Sequence, residues 1–403
     1  MPTKTGLFFI IAVAFCYLAS AVFEIAAYVH IAAVLLAMLG ADLLWLRLTC
    51  YGIDCEFDVD DSATTGERIR IQFTARNSWP IPRYGTRLSV RFPPAGRPDR
   101  RESVSPGSLP ARSTTFHFAF PRCRQRGSFT VGPATVTYFG PLGLFYKNSR
   151  TSGQKDCEVR PGTVPVGLMP GMYSGKGFSG SSQQNSKPGP GTEFYGIRPY
   201  VSGDSPRWIH WLSTLREQEL MTRQFQSLQQ KRAVVSLNCS TGLFGMRTSK
   251  EEFETAVTVA ASLARSAFES GYEVGLLLIG ADDGWTEPAP GLNNLRRILS
   301  RLASADQHSG RPSAEDFQML NSRLDTVLYV TPTPDMISAR VLRRMRSRER
   351  SISCFLVNQS GKTISRKGQR MSEVLQEAGI SVQRIRETSD LRGRSPDSNR
   401  LSA

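Results

Sequence analysis

The sequence predicts a multidomain chain in three structural parts: a transmembrane helical hairpin, an antiparallel β-sandwich and a doubly wound α/β domain. Three patterns predict it. Two apolar runs with almost no charge lie close together near the start. A middle stretch alternates apolar and polar residues with period two, and the C-terminal half alternates apolar strands with amphipathic helices.

Gly6 to Phe23 carries no charged residue, which is long enough to cross a bilayer core. Ala19-Ser20-Ala21 resembles a signal-peptidase site. The second run argues against cleavage, because Ile31 to Leu46 is again apolar and broken only by Asp42. The short connection Glu24 to His30 makes the two helices an antiparallel pair. Lys4 precedes the pair, Arg47 follows it, and the tip has neither Lys nor Arg. The bias of positive charge toward the cytoplasm then places both ends and the soluble domains inside, for a two-helix multi-pass protein of the cell membrane. Asp42 reads as an interfacial carboxylate within reach of water and close to Arg47.

The formal net charge is +15, which fits an acidic partner, an anionic lipid surface or nucleic acid. The basic residues are spread out without interleaved aromatics, and no helix-turn-helix, zinc-finger or RNA-binding signature accompanies them, so nucleic acid is excluded. The seven cysteines have irregular spacing and no C-x-x-C pair. They imply neither a disulfide framework nor a zinc site and fit a reducing compartment.

From Glu56 to Val166 the pattern is that of strands. Ile69, Ile71, Phe73 and Ala75 alternate with Arg70, Gln72 and Thr74, and Phe116, Phe118 and Phe120 alternate with His117 and Ala119. Ala134, Val136 and Tyr138 form a third such set. Turn signals at Asn77-Ser78-Trp79-Pro80, Pro93 to Gly96, Pro106-Gly107 and Gly132-Pro133 separate them. A small immunoglobulin-like sandwich, binding or spacing in role, is the natural reading.

Pro170 to Gly191 is rich in Gly, Ser, Pro and Gln and reads as a flexible linker. Gly175-Lys176 is not a phosphate loop, since Pro170 and Gly177 stand where Gly and Ser or Thr are needed. The most distinctive stretch follows: GTEFYGIRPYVSGDSPRWIHW, from Gly191 to Trp211. Asp204 or Ser205 before Pro206 reads as a helix N-cap and first turn. Leu220 to Phe225 reads as a strand. Glu193, Arg198, Asp204 and Arg207 suit a paired charge network with Tyr200, Trp208 and Trp211 packed around it.

This stretch resembles the signature of the bacterial membrane-anchored family catalogued as domain of unknown function 58. Arg126-Gly127 with Val131-Gly132-Pro133, then Gly140-Pro141-Leu142-Gly143-Leu144-Phe145, resembles an element at the end of that family's β-domain, and the N-terminal hairpin matches as well. The resemblance implies a von Willebrand factor A-like C-terminal domain and association with MoxR-type AAA+ ATPases in an accessory or chaperone role. It also implies an acid at the position of Gly140 and Glu at Gln224 and Gln226, where this chain departs.

From Arg232 onward strands at 233–239, 274–279, 326–330 and 353–357 alternate with helices at 251–270, 292–303, 336–345 and 372–378. In von Willebrand A domains the first strand ends in D-x-S-x-S, which holds magnesium. Ser236, Asn238 and Ser240 stand at those positions here, so the acid is missing and the metal site reads as vestigial, although Asp335 lies in a nearby loop. The strand C-termini remain a surface on which a protein can dock. Arg340 to Arg350 holds six arginines, a solvated helix face or a contact with anionic lipid.

The expected boundaries are 1–48 for the transmembrane hairpin, 49–168 for the sandwich and 169–192 for the linker. The signature and α/β domain occupy 193–387, and 388–403 forms a disordered tail. The expected function is a membrane-tethered adaptor, not an enzyme. It needs no cofactor or metal, and it binds membrane lipid and a protein partner of the MoxR-type AAA+ class. Glu193, Arg198, Tyr200, Gly203, Asp204, Arg207 and Trp211 are its signature residues. The alternative is a hydrolase using Glu193 or Asp204 with His210.

Overall fold

The computed structural model describes residues 1–49, 52–95, 100–151, 153–166, 188–226, 231–240, 249–281, 283–308, 312, 315–321, 324–346, 350–358 and 366–392. The chain divides into two compact units, Met1–Gly162 and Thr163–Ala403. The expected linker lies mostly outside the described residues.

The first unit begins with α1 (Lys4–Phe23) and α2 (Ala26–Thr49), both long and apolar enough to cross a membrane. Thr3 caps α1 by accepting the Gly6 amide on its hydroxyl. The helix ends at Glu24, whose left-handed backbone (φ 53°) returns its N–H to the Ser20 carbonyl. The connection is therefore only Glu24 and Ile25, shorter than the expected Glu24–His30, because nothing in 26–30 breaks a helix.

Strands follow: β1 (Ile53–Val59), β2 (Ser62–Thr64), β3 (Ile71–Asn77), β4 (Arg83–Tyr84), β5 (Thr86–Arg91) and β6 (Arg101–Val104). After them come β7 (Ser108–Leu109), β8 (Ser113–Ala119), β9 (Gly127–Val131), β10 (Ala134–Phe139), β11 (Tyr146–Arg150) and β12 (Lys155–Arg160). They form sheets in the orders β1-β3-β8, β11-β10-β5-β6, β2-β12-β9 and β4-β7. All pairs are antiparallel except β2 with β12. One core joins them, built from Phe57, Ile71, Phe73, Leu88, Val90, Val136 and Val159, and Leu46 of α2 belongs to it. One side of the last turns of the helix thus joins the β body's core.

β8 corrects one expectation. Register places Ala119, His117 and Thr115 opposite Ile71, Phe73 and Ala75, which fill the core. Directly opposed residues share a face, so Phe116, Phe118 and Phe120 point outward and are exposed. Period two locates a strand but does not say which of its two faces is buried.

The second unit starts with β13 (Pro188–Pro199), a 3-10 turn at Pro206–Trp208, α3 (Trp211–Glu217) and β14 (Met221–Gln226), with β13 and β14 antiparallel. Then come β15 (Arg232–Asn238), α4 (Lys250–Glu269), β16 (Glu273–Ile279), β17 (Trp285–Ala289) and α5 (Leu292–Ala303). The unit is completed by β18 (Thr326–Thr331), α6 (Met336–Met345), β19 (Ser351–Val357), α7 (Arg366–Glu377) and β20 (Ser381–Ile385). One sheet has the order β17-β16-β15-β18-β19-β20, parallel except for the β17 edge. Side chains of α4 and α5 pack on one face, and those of α6 and α7 on the other. The sheet is doubly wound, and its chain reverses direction of travel between β15 and β18. β17 and β20 are strands that the sequence reading passed over.

The expected tail begins too early. Thr388–Arg392 forms a 3-10 turn, and Leu391 is buried in the α4 face of the core. Leu391 and the Asp390 carboxylate, which accepts the Arg386 and Glu387 amides, hold the turn down.

Candidate functional site

The signature stretch builds a small hairpin with a turn and a helix at its tip. Glu193 to Pro199 pairs with Gln226 back to Met221, with one irregularity at Phe194/Gly196. Beyond Pro199 the chain turns on Gly203, whose φ of +109° suits glycine. Arg198 Nη2 meets Asp204 Oδ1 at 2.7 Å, and the other carboxylate oxygen accepts the Val201 amide at 3.1 Å. The Tyr200 hydroxyl donates to the Asp204 carbonyl at 3.2 Å. The Arg198 guanidinium and the Val201 amide hold the Asp204 carboxyl below its usual range.

The expected helix cap is displaced. Pro206 opens only a 3-10 turn, and His210 caps α3 by accepting the Ser213 amide on Nδ1. Nδ1 also lies 2.8 Å from the Ser213 hydroxyl. The Thr214 hydroxyl donates to the His210 carbonyl and accepts the Met221 amide, tying α3 to β14.

Of the four charges expected to form one network, the structure brings together Arg198 and Asp204. Arg207 is exposed, and the Glu193 side chain lies outside the described residues. Asp204 and His210 serve separate hydrogen-bond systems, so the structure does not pair these two as the hydrolase alternative would. The tryptophans do not pack inward as expected. Trp211 is 64% exposed, Leu212 71% and Leu215 79%, and Trp208 is partly exposed beside them. Residues 211, 212 and 215 lie on one face of α3, so this is an apolar face turned to solvent. In the sequence Leu212 and Leu215 read only as continuing a short helix, not as site residues. Their spacing with Trp211 was the available signal, and it reads equally well as a core face.

The second candidate region is the crevice at the C-terminal ends of β15 and β18. Asn238 Nδ2 donates to Thr331 Oγ1 at 3.1 Å and to the Thr333 carbonyl at 3.5 Å, while its Oδ1 accepts the Ser240 amide at 3.0 Å. The amide's hydrogens thus face the oxygens that a cation would need. Asp335 is committed as well, capping α6 through the Ser338 amide and hydroxyl. Ser236 is fully buried, and Tyr329 lies near the Ser338 and Thr331 hydroxyls without a well-aligned bond. Burial pushes the Tyr329 hydroxyl pKa up. These residues do not fit a divalent cation, and among the described residues no cluster of His, Cys, Asp or Glu could hold a metal. A shallow depression lined by Asp58, Asp60 and Asp61 lies far from both regions in sequence, and Asp58 pairs with Lys155 and Asp60 with Arg70.

The first unit contains a polar site that the sequence reading placed wrongly. Asp42 is fully buried, not at a wet interface. Its Oδ1 accepts the Leu142 amide at 2.8 Å, and its Oδ2 accepts those of Leu144 and Phe145 at 3.1 and 2.9 Å. A Cβ at Gly140 would lie 2.3 Å from the carboxylate oxygens, so position 140 has room only for glycine. The acid that the resemblance implies at 140 would put a second carboxylate against Asp42.

These features define a chain with an apolar helical hairpin, a sheet-rich body and a doubly wound α/β unit preceded by a short signature hairpin. Residues 196–388 match the family model described as protein of unknown function DUF58. A stretch of 116 residues is 27% identical to the "Uncharacterized protein YeaD" of Bacillus subtilis (strain 168), covering 29% of this chain. It spans 27% of that relative's length. The two matches support the DUF58 family. Among solved structures, the CARDB domain of the PF1109 protein from Pyrococcus furiosus is 15% identical over 27% of this chain and 86% of that one, with a TM-score of 0.20. The sporulation control protein Spo0M from Bacillus subtilis is 10% identical over 27% of this chain and 49% of that one, with a TM-score of 0.17. Scores this low carry no argument about the fold.

Proposed function

We propose that this protein is a membrane-tethered adaptor that binds a protein partner through the signature hairpin. The observation that carries this reading is the face of Trp211, Leu212 and Leu215, turned to solvent on a helix that hydrogen bonds hold in place, with Trp208 exposed in the turn before it. Exposed aromatic and aliphatic anchors on a fixed scaffold are what protein interfaces use at their centres. The polar contacts of Asp204 and His210 serve shape, which fits binding and not turnover. The two apolar helices support tethering to the cell membrane, and Lys4 and Arg47 at the open end of the hairpin favour a cytoplasmic body.

Two finer readings belong with this proposal. The β body is immunoglobulin-like, supported by antiparallel sheets over one shared core. The second unit is von Willebrand A-like, supported by its sheet order and by the polar crevice at the end of β15, whose cation site is lost. On this reading the partner implied by the family resemblance is a MoxR-type AAA+ ATPase.

The test is co-purification from membranes of the intact chain with a purified MoxR-type ATPase, beside Trp211→Ala, Leu215→Ala and Asp204→Ala variants. The intact chain should retain the ATPase. The first two variants should lose at least about tenfold in affinity, the scale of a single interface anchor. No retention by the intact chain sinks the choice of partner, and equal retention by all variants sinks the choice of surface.

A further inference from the structure

The loop Gly140–Phe145 is clamped between the start of α1 and the last turns of α2. Asp42 takes three of its amides. From the other side the Thr3 hydroxyl donates to the Gly143 and Leu144 carbonyls at 2.8 and 3.0 Å, and the Thr3 amide donates to the Leu144 carbonyl. A Cβ at Gly6 would strike the Leu144 carbonyl, so the helix and the loop touch backbone to backbone.

The height of this clamp along α2 matters. Leu43, Leu44, Trp45 and Leu48 lie beyond Asp42 toward the β body, and all are exposed. The stretch Ala26–Ala41 above the clamp is about 24 Å long, short of a hydrocarbon core of about 30 Å. A bilayer that covers the helix must therefore reach past Asp42, and the loop beside Asp42 meets lipid too.

Backbone can enter lipid only if its polar groups find partners within the protein. Every N–H of this loop does so. Gly140 donates to the Phe145 carbonyl and Gly143 to that of Gly140, while Leu142, Leu144 and Phe145 donate to Asp42; Pro141 has none to give. At the tip, Leu142 is 48% exposed. A second loop stands next to it, since the Phe139 amide donates to the Gly85 carbonyl, and it exposes Trp79, Ile81 and Tyr84. Aromatic residues of this kind gather at membrane interfaces. The exposed cations Lys4, Arg47 and Arg112 flank the same end, with Arg112 donating its amide to the Trp79 carbonyl.

We propose that Gly140–Phe145 is a re-entrant wedge that inserts Leu142 into the acyl–headgroup boundary of the bilayer, with Trp79, Ile81 and Tyr84 as its rim. The proposal rests on the reading of α1 and α2 as membrane-spanning. Its occupant is lipid, and Asp42 is the group that makes the insertion possible by satisfying three of the loop's amides.

The test uses the full chain in phosphatidylcholine–phosphatidylglycerol vesicles containing brominated lipid, which quenches nearby tryptophan. In a background with all native tryptophans changed to Phe, a single tryptophan is introduced by Leu36→Trp, Leu142→Trp or Phe120→Trp. Phe120 lies at the end of its sheet opposite α2. The first two variants should lose most of their emission, Leu142→Trp most strongly with bromines near the headgroup, and Phe120→Trp should lose none. Quenching of Leu36→Trp without Leu142→Trp overturns the wedge and leaves the anchor standing. Quenching of neither overturns the anchor and the wedge together. Equal quenching of Leu142→Trp and Phe120→Trp indicates adsorption of the whole body and also overturns the wedge. A benzophenone amino acid at position 142 of the otherwise native chain gives an independent reading. It should form a lipid adduct seen by mass spectrometry, with none from position 120, and absence of the adduct at 142 counts against insertion.

Discussion

Asp42 shows how one residue joins two elements that composition alone would separate. A carboxylate with no water must have its lone pairs filled, and three backbone amides fill them. Asp42→Ala strands those amides and should cost about 2–4 kcal/mol, read as a lower unfolding midpoint of the full chain in detergent. Asp204 is a different case, a surface carboxylate held by Arg198 and the Val201 amide. Its folded pKa is depressed below the ordinary 3.8, so its contribution is fully present above that value and is lost as pH falls through the lower folded value. At neutral pH the signature turn should therefore be insensitive to pH. Arg198→Ala should raise the Asp204 pKa toward its ordinary value, which carboxyl-carbon NMR titration checks.

At the scale of elements, the signature helix is short and exposes its apolar stripe, so its caps decide whether it forms. His210 and Thr214 anchor it at both ends of its first turn. α4 is secured by a capping box, in which Ser249 and Glu252 each satisfy the other's amide. Ser249→Ala should lower the stability of the second unit by about 1 kcal/mol, measured by denaturant titration. α6 presents its arginines outward while Ser338, Ala339 and Leu342 are buried, and Arg350 reaches the Leu324 carbonyl. Part of that basic run is thus engaged within the fold, while residues 347–349 lie outside the described positions.

On the scale of the whole molecule, the cysteines report packing and not chemistry. Cys55 and Cys123 have thiols pushed up to about 11, and Cys157 and Cys354 to about 12, chiefly by burial. Thiolate is the reactive form, so these four should resist alkylation at pH 8 in the folded chain and react on denaturation, which mass spectrometry of alkylated peptides shows. The hairpin and the β body should also behave as one piece, because Leu46 sits in the β core and Asp42 holds the 140–145 loop. Carbonate washing should leave the intact chain in the membrane fraction, and its recovery in the supernatant would contradict the anchor.

The sequence by itself determined the order of the parts, because each is announced by a local period: unbroken apolar runs, alternation by two, then strands alternating with amphipathic helices. It also showed that Ser236 stands where the family resemblance implies a magnesium-binding acid, since residue type alone decides that. Only the tertiary structure decided which face of β8 is buried, where Asp42 points, and whether Trp211 and Leu215 face a core or solvent. The physical reason is common to all three. A periodic pattern defines a face, but burial depends on what stands opposite that face, and the partners lie far along the chain: Phe73 across from His117, and Leu144 beside Asp42.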